Sequence, residues 1–256
     1  MKAGTHWKNI RKIRSILRWV VCIILSILAT RVEGQSGENP TIVVRKCADF
    51  TITGKGNDTE WSKTEWHQLT KLDNDGKTNA TRFKILYSST GIYVLFQGDD
   101  EKITTKSYKD FESIFNGDVF EVFFHPNPEV KVYFEYEVNH LGKELILAIS
   151  SINGKFSSWI PRHNEGVHRT GIQKMVDVVG GSKEIGSTIS SWSAEIFFSY
   201  NGLGLLPEVP PTSGTIWNAN FCRLDYDTGS MIKWSWTPSI DKSFHELDKF
   251  RSIKFE

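Results

Sequence analysis

Residues 118–124 read DVFEVFF and residues 130–139 read VKVYFEYEVN, with HPNPE at 125–129 between them. In the second stretch Val130, Val132, Phe134, Tyr136 and Val138 fall on one face of an extended chain. Lys131, Tyr133, Glu135, Glu137 and Asn139 fall on the other. Successive side chains of a strand point to opposite sides, so this alternation predicts a strand with one buried face and one solvated face. The two prolines of HPNPE cannot donate to a ladder and mark the break between two strands.

The same signature recurs on both sides. Residues 82–87 and 92–96 flank Ser88-Ser89-Thr90-Gly91 and predict a hairpin. Further strands are expected at 144–150, 171–179, 191–198, 215–226, 232–236 and 253–255, and one short helix near 108–115. About ten short strands separated by Gly, Asn and Pro turns predict an all-β fold, an antiparallel β-sandwich of immunoglobulin or jelly-roll type. The reading gives one domain over 42–256, preceded by a flexible lead-in at 35–41.

The N-terminus sets the compartment. Lys2, Lys8, Arg11, Lys12, Arg14 and Arg18 precede an apolar run at 19–29, and small or polar residues follow. Such a run is shorter than the roughly twenty residues a membrane span needs, so residues 1–34 read as a signal peptide with cleavage after Gly34. An uncleaved anchor is the alternative. Export to the periplasm, cell surface or exterior follows, with no stable membrane span after cleavage. The leader carries seven basic residues and one acid, which leaves 24 basic and 29 acidic residues in the remainder, a net charge near −5. That balance disfavours a nucleic-acid partner. Export permits a disulfide between Cys47 and Cys222, with two buried free thiols as the alternative.

Catalytic motifs are absent: there is no nucleophile elbow, phosphate-binding glycine loop or HExxH. Glu121, Glu135 and Glu137 are the one acid constellation that could flank a glycosidic bond. Binding is the better-supported chemistry. Sugars present hydroxyls around an apolar ring face, and proteins hold them with flat aromatics plus a few planar polar groups. Beyond the leader lie Trp61, Trp66, Trp159, Trp192, Trp217, Trp234 and Trp236. Trp61, Trp192 and Trp217 sit within strand patterns and read as core. Trp234 and Trp236 share one face of a strand that Pro238 stops, which puts Phe244 and His245 on a loop, where binding residues gather.

FNGDVFEVFF at 115–124, YFEYEVN at 133–139, WSAEI at 192–196, WNANFCR at 217–223, WSWTP at 234–238, Phe244-His245 and the closing Phe250 and Ile253-Lys254-Phe255 form an ordered set. This set resembles the carbohydrate-binding module family 9-like proteins over essentially the whole chain from 42 to 255. The resemblance implies a β-sandwich, often calcium-stabilised, that holds a sugar end between two aromatic rings. In xylanase-attached members those rings are tryptophans, whereas the matching positions here are Phe115 and Phe244. Glu121 matches a sugar hydrogen-bonding acid, and Arg223 is a further candidate once the alignment is shifted by one residue. Trp236 and Glu135 are expected to border the site, and Phe244-His245 resembles the version of the motif in free-standing relatives. For calcium, Asp99 and Asp100 are the candidate ligands, a solvated acidic turn being the alternative. Asn57-Asp-Thr59 and Asn79-Ala-Thr81 are glycosylation sequons in a eukaryotic host.

The expectation is therefore a non-catalytic protein that binds oligo- or polysaccharide ends, in polysaccharide capture or catabolism. A glycoside hydrolase using Glu121 with Glu135 or Glu137 is one alternative. A structural or adhesive surface domain, with the aromatics as core or interface, is the other.

Overall fold

The computed structural model describes residues 41–256, apart from 75, 77, 107–108, 154, 162–170, 205, 238 and 240. The stretch expected to be a signal peptide and most of the expected lead-in therefore lie outside the described residues, as does Pro238. Strands β1 (Ile42–Lys46), β2 (His67–Gln68), β3 (Thr70–Lys71), β4 (Thr81–Tyr87) and β5 (Gly91–Asp99) come first. Next are β6 (Val119–His125), β7 (Val132–Asn139), β8 (Glu144–Ile152) and β9 (Lys155–Pro161). The last are β10 (Ile172–Val179), β11 (Ser191–Ser199), β12 (Ile216–Asp225), β13 (Ile232–Ser235) and β14 (Arg251–Phe255).

One layer runs β9-β8-β7-β6-β12-β14, with β13 and β3 continuing off β12. The other runs β10-β11-β5-β4, with β2 beside β4. Pairing is antiparallel except at β1, which lies parallel to β14 on one side and to β4 on the other and so joins the layers. Residues that start and finish this unit thereby close it together. The β4–β5 hairpin forms where predicted, and the Ser88 hydroxyl organises its turn by accepting from the amides of Thr90 (3.1 Å) and Gly91 (3.2 Å).

The inward face of the alternation holds from Phe134 onward, whereas Val130 and Val132, expected on the same face, are exposed. Phe120, Val122, Phe124, Phe134, Tyr136 and Val138 all point inward and meet residues of the opposite layer in one core. Phe120 stacks between Phe96 (4.7 Å, 8°) and Trp192 (3.8 Å, 17°), and Phe83 stacks on Phe221 at 3.9 Å. Offset-stacked rings from both sheets fill the space side chains must fill at ~10 Å sheet separation. Burying each such ring stabilises the fold by about 1.5–3 kcal/mol. This is the antiparallel β-sandwich.

Three expectations need correction. The second face of β6 and β7 is not solvated: Tyr133, Glu135, Glu137 and Asn139 are all buried. A second hydrophobic cluster, with Val119, Phe123, Leu145, Leu147, Cys222 and Phe244 among its members, covers that face. The expected helix is a single 3-10 turn, Ile114–Asn116, because Phe111 takes a left-handed conformation (φ 65°) and Ile114 is drawn fully into that cluster. Cys47 and Cys222 are both free and buried, and they belong to different clusters. The Cys47 thiol donates to the Tyr87 carbonyl (3.3 Å), while the Cys222 thiol faces the Ser235 hydroxyl (3.8 Å). Burial pushes the Cys47 thiol up to about 12 and the Cys222 thiol well above its usual range.

Candidate functional site

On the outer face of the first layer lies a groove of about 320 Å³. Its floor is set by register. Glu121 on β6 pairs with Glu137 on β7, and Glu135 sits two residues along on the same face. One carboxylate oxygen from each lies within 4.8 Å of the others. Leu147, Ile149 and Leu224 surround these acids, so they sit on an apolar floor. Burial and mutual repulsion push Glu121 and Glu137 well above the ordinary carboxylate range. Burial takes Glu135 up to about 7. Three carboxyls crowded together cannot all ionise.

The rim is aromatic. Phe115 stands on one side, its carbonyl held by the Tyr226 hydroxyl at 2.9 Å. Phe244 and His245 come from the loop after β13, and Phe156 and Trp159 come from edge strand β9. Phe156 and Trp159 are 44% and 43% exposed, which leaves their ring faces available. Phe244 is anchored, edge-on to Phe123 at 6.4 Å. His245 Nδ1 and the Tyr133 hydroxyl share a hydrogen bond of 2.8 Å, and burial lowers the ring's pKa to about 4. The ring is therefore neutral at pH 7.

The loop carrying Phe244 is held in place before any ligand arrives. Glu246 Oε1 accepts from the Ser239 hydroxyl (2.6 Å) and the amide of Asp241 (3.0 Å). Lys242 reaches Asp73 at 2.7 Å, and Lys233 Nζ donates to the Lys242 carbonyl at 2.8 Å. A larger hollow of about 730 Å³ between residues 102–106 and 226–229 offers one ring, Tyr226, among hydroxyls and lysines. It has no comparable aromatic rim.

The groove thus brings together Phe115, Glu121, Glu135, Phe244 and His245, along with Glu137. Arg223 and Trp236 are placed elsewhere. Trp236 packs in the inter-layer core against Phe83 (5.6 Å) and Phe221 (5.7 Å). Arg223 points inward from β12, fully buried, and binds Asp225 (2.7 Å) and Asp100 (3.1 Å). Cys222 and Leu224, its neighbours in sequence, point the other way, so strand parity excludes Arg223 from the groove. Sequence reasoning missed Phe156, Trp159 and Lys233. KFSSWIP lacks clean alternation, and its signal was two aromatics on a strand following the Asn153 turn (φ 53°).

The calcium expectation was tested against the donor set. Asp99 is exposed, and its carboxylate accepts from the Ala80 amide at 3.0 Å. Asp100 is buried between Arg223 and His140, whose Nε2 lies 2.9 Å away. The guanidinium already provides the positive charge there, so Asp99 and Asp100 do not fit a calcium pair. The remaining acid excess is carried by protonation. Burial raises Asp118 to about 9 and Asp227 to about 7.

With this geometry in hand, comparison with known proteins is informative. Residues 52–170 match the carbohydrate family 9 binding domain-like family. The resemblance drawn from the sequence holds. A candidate carbohydrate-binding protein from Bacteroides uniformis ATCC 8492 superposes with a TM-score of 0.70 at 15% identity, covering 85% of this chain and 100% of that one. A family 9 module from Caldicellulosiruptor kristjanssonii in complex with cellotriose gives 0.61 at 14% identity, covering 85% and 94%. The same organism's family 9 module in complex with glucose gives 0.58 at 12%, covering 84% and 95%. At these identities the superpositions establish a shared fold. Against curated proteins the sequence finds no match.

Proposed function

We propose that this family 9-like chain is an exported, non-catalytic carbohydrate-binding module that holds a sugar chain end in the groove above Glu121, Glu135 and Glu137. The observation that carries the reading is the pairing of an acid floor with a rim of exposed flat rings. Phe156 and Trp159 offer apolar faces to sugar C–H groups, and the groove acids and the His245 ring nitrogens meet hydroxyls in plane. The solved family 9 complexes with cellotriose and glucose support the same chemistry.

Hydrolysis is disfavoured by the same geometry. Glycosidases place two carboxyls about 5–9.5 Å apart on opposite sides of the scissile bond. Here Glu121, Glu135 and Glu137 rise side by side from β6 and β7. Calorimetric titration with cellotriose tests the proposal. Saturable binding to the wild type, weakened about tenfold (~1.4 kcal/mol) in His245→Ala, is expected. No heat from any oligosaccharide, or steady release of reducing ends from one, sinks it.

A further inference from the structure

The charge on the groove floor is not balanced by the groove itself. Lys242 is paired with Asp73, and Lys233, which donates to the Lys242 carbonyl, offsets Glu121 alone of the three acids. Glu135 and Glu137 are 4% and 1% exposed and hydrogen-bond to each other, and the Oε2 atom of each has no partner beyond that pair among the described residues. Both atoms belong to residues that line the groove. Buried acceptors left this way are costly, and the cost is greatest when they carry charge.

We infer that the preferred ligand is a carbohydrate bearing a free ammonium, a deacetylated amino sugar whose nitrogen docks on Glu135 and Glu137. This rests on the reading of the groove as a sugar site and specifies which sugar class it selects. A neutral hydroxyl gives one donor and no charge, so it does nothing to let the crowded carboxyls ionise. An ammonium gives three donors and a full positive charge. The rim suits it as well, because Phe115, Phe244 and His245 line the same groove and aromatic rings attract cations. A divalent metal fits less well. It needs six to eight oxygens, and the walls around the acids are Leu147, Ile149, Leu224 and Phe244. The flat exposed rings of Phe156 and Trp159 fit a pyranose better than a flexible amine.

The test compares three trimers by calorimetry at pH 7: glucosamine trimer, its fully N-acetylated form, and cellotriose. The glucosamine trimer is expected to bind at least tenfold more tightly than either neutral trimer, a difference of ~1.4 kcal/mol. That ratio should survive added salt, which screens a general attraction to an acidic protein. It should shrink to about twofold in Glu135→Gln, with Glu137→Gln as the second variant if the first does not fold. Cellotriose binding with no preference for the amine overturns this inference alone. Absence of binding by all three overturns the sugar reading with it. Loss of the ratio in salt, its persistence in both variants, or calcium binding that Glu135→Gln abolishes also overturns the inference.

Discussion

Replacing Arg223 with Met separates a core residue from a ligand contact. The guanidinium donates through Nη1 to the Asp99 carbonyl (2.6 Å) and the Thr81 hydroxyl (3.1 Å). Through Nη2 it meets Asp225 at 2.7 Å and Asp100 at 3.1 Å. Gly98 is a glycine for this reason, since a Cβ there would come within 2.6 Å of Nη1. Methionine approximates the volume and removes every one of these bonds, leaving two buried carboxylates without their cation. Removing one partner of a buried ion pair costs about 3–5 kcal/mol. The low end is expected, because Asp100 keeps its bond to His140. At roughly 2–4 °C per kcal/mol for a domain of this size, melting should fall by roughly 6–20 °C. The assay pairs thermal unfolding by circular dichroism with cellotriose titration of the folded protein at low temperature. Lower stability with unchanged affinity is the expected outcome. An unchanged melting temperature with lost affinity would refute the reasoning, because it would mean Arg223 reaches the groove after all.

Glu195 accepts from the Trp61 indole (2.6 Å) and from the amides of Gly54 (2.6 Å) and Thr53 (2.7 Å), so Glu195→Gln should cost about 1.5–3 kcal/mol and speed hydrogen exchange at Gly54. Trp159→Ala, on a half-exposed edge-strand ring, should weaken cellotriose binding about tenfold (~1.4 kcal/mol) while melting stays within about 2 °C; unchanged affinity would remove β9 from the site. A reductant should leave melting unchanged, and Cys47 and Cys222 should react with a thiol reagent only after denaturation. For the groove acids the folded pKa is raised, so the folded state holds protons that the unfolded state has released. Stability from this source is full below about 4.5 and falls as pH rises through about 7, with Lys233 and Lys242 facing the same groove. Glu135→Gln should therefore raise melting more at pH 7.5 than at pH 4.5, as unfolding scans would show.

The sandwich was legible because period-two alternation is a local signal, written into VKVYFEYEVN and its neighbours without reference to anything distant. What covers the second face of β7 was not. The cover comes from Phe244, Leu247 and Phe250, with Phe156 and Trp159 of β9 at the groove rim, and neither segment carries a periodic apolar pattern. Phe244 was found through a family pattern. Phe156 and Trp159 had no such support, and only the β8–β9 pairing brings them to the rim.

Charge was the least legible property, and two acid clusters show why. Most charged residues lie at the surface, and the sequence offered Arg223 as a ligand contact and Asp99 and Asp100 as calcium ligands or a solvated turn. The fold instead buries Arg223 between Asp100 and Asp225, and this cluster is compensated by the chain itself. Glu121, Glu135 and Glu137 form no ion pair among the described residues, and Lys233 offsets Glu121 alone. Both clusters are buried, both shift pKa values, and neither is distinguishable by residue type. The difference is compensation, which depends on which cation the fold brings within 3 Å, and spacing along the chain does not record it. A buried acid cluster that supplies its own cation is explained as structure. One that opens on a ring-lined groove and lacks that cation keeps its protons, and a cation from outside the chain can take their place.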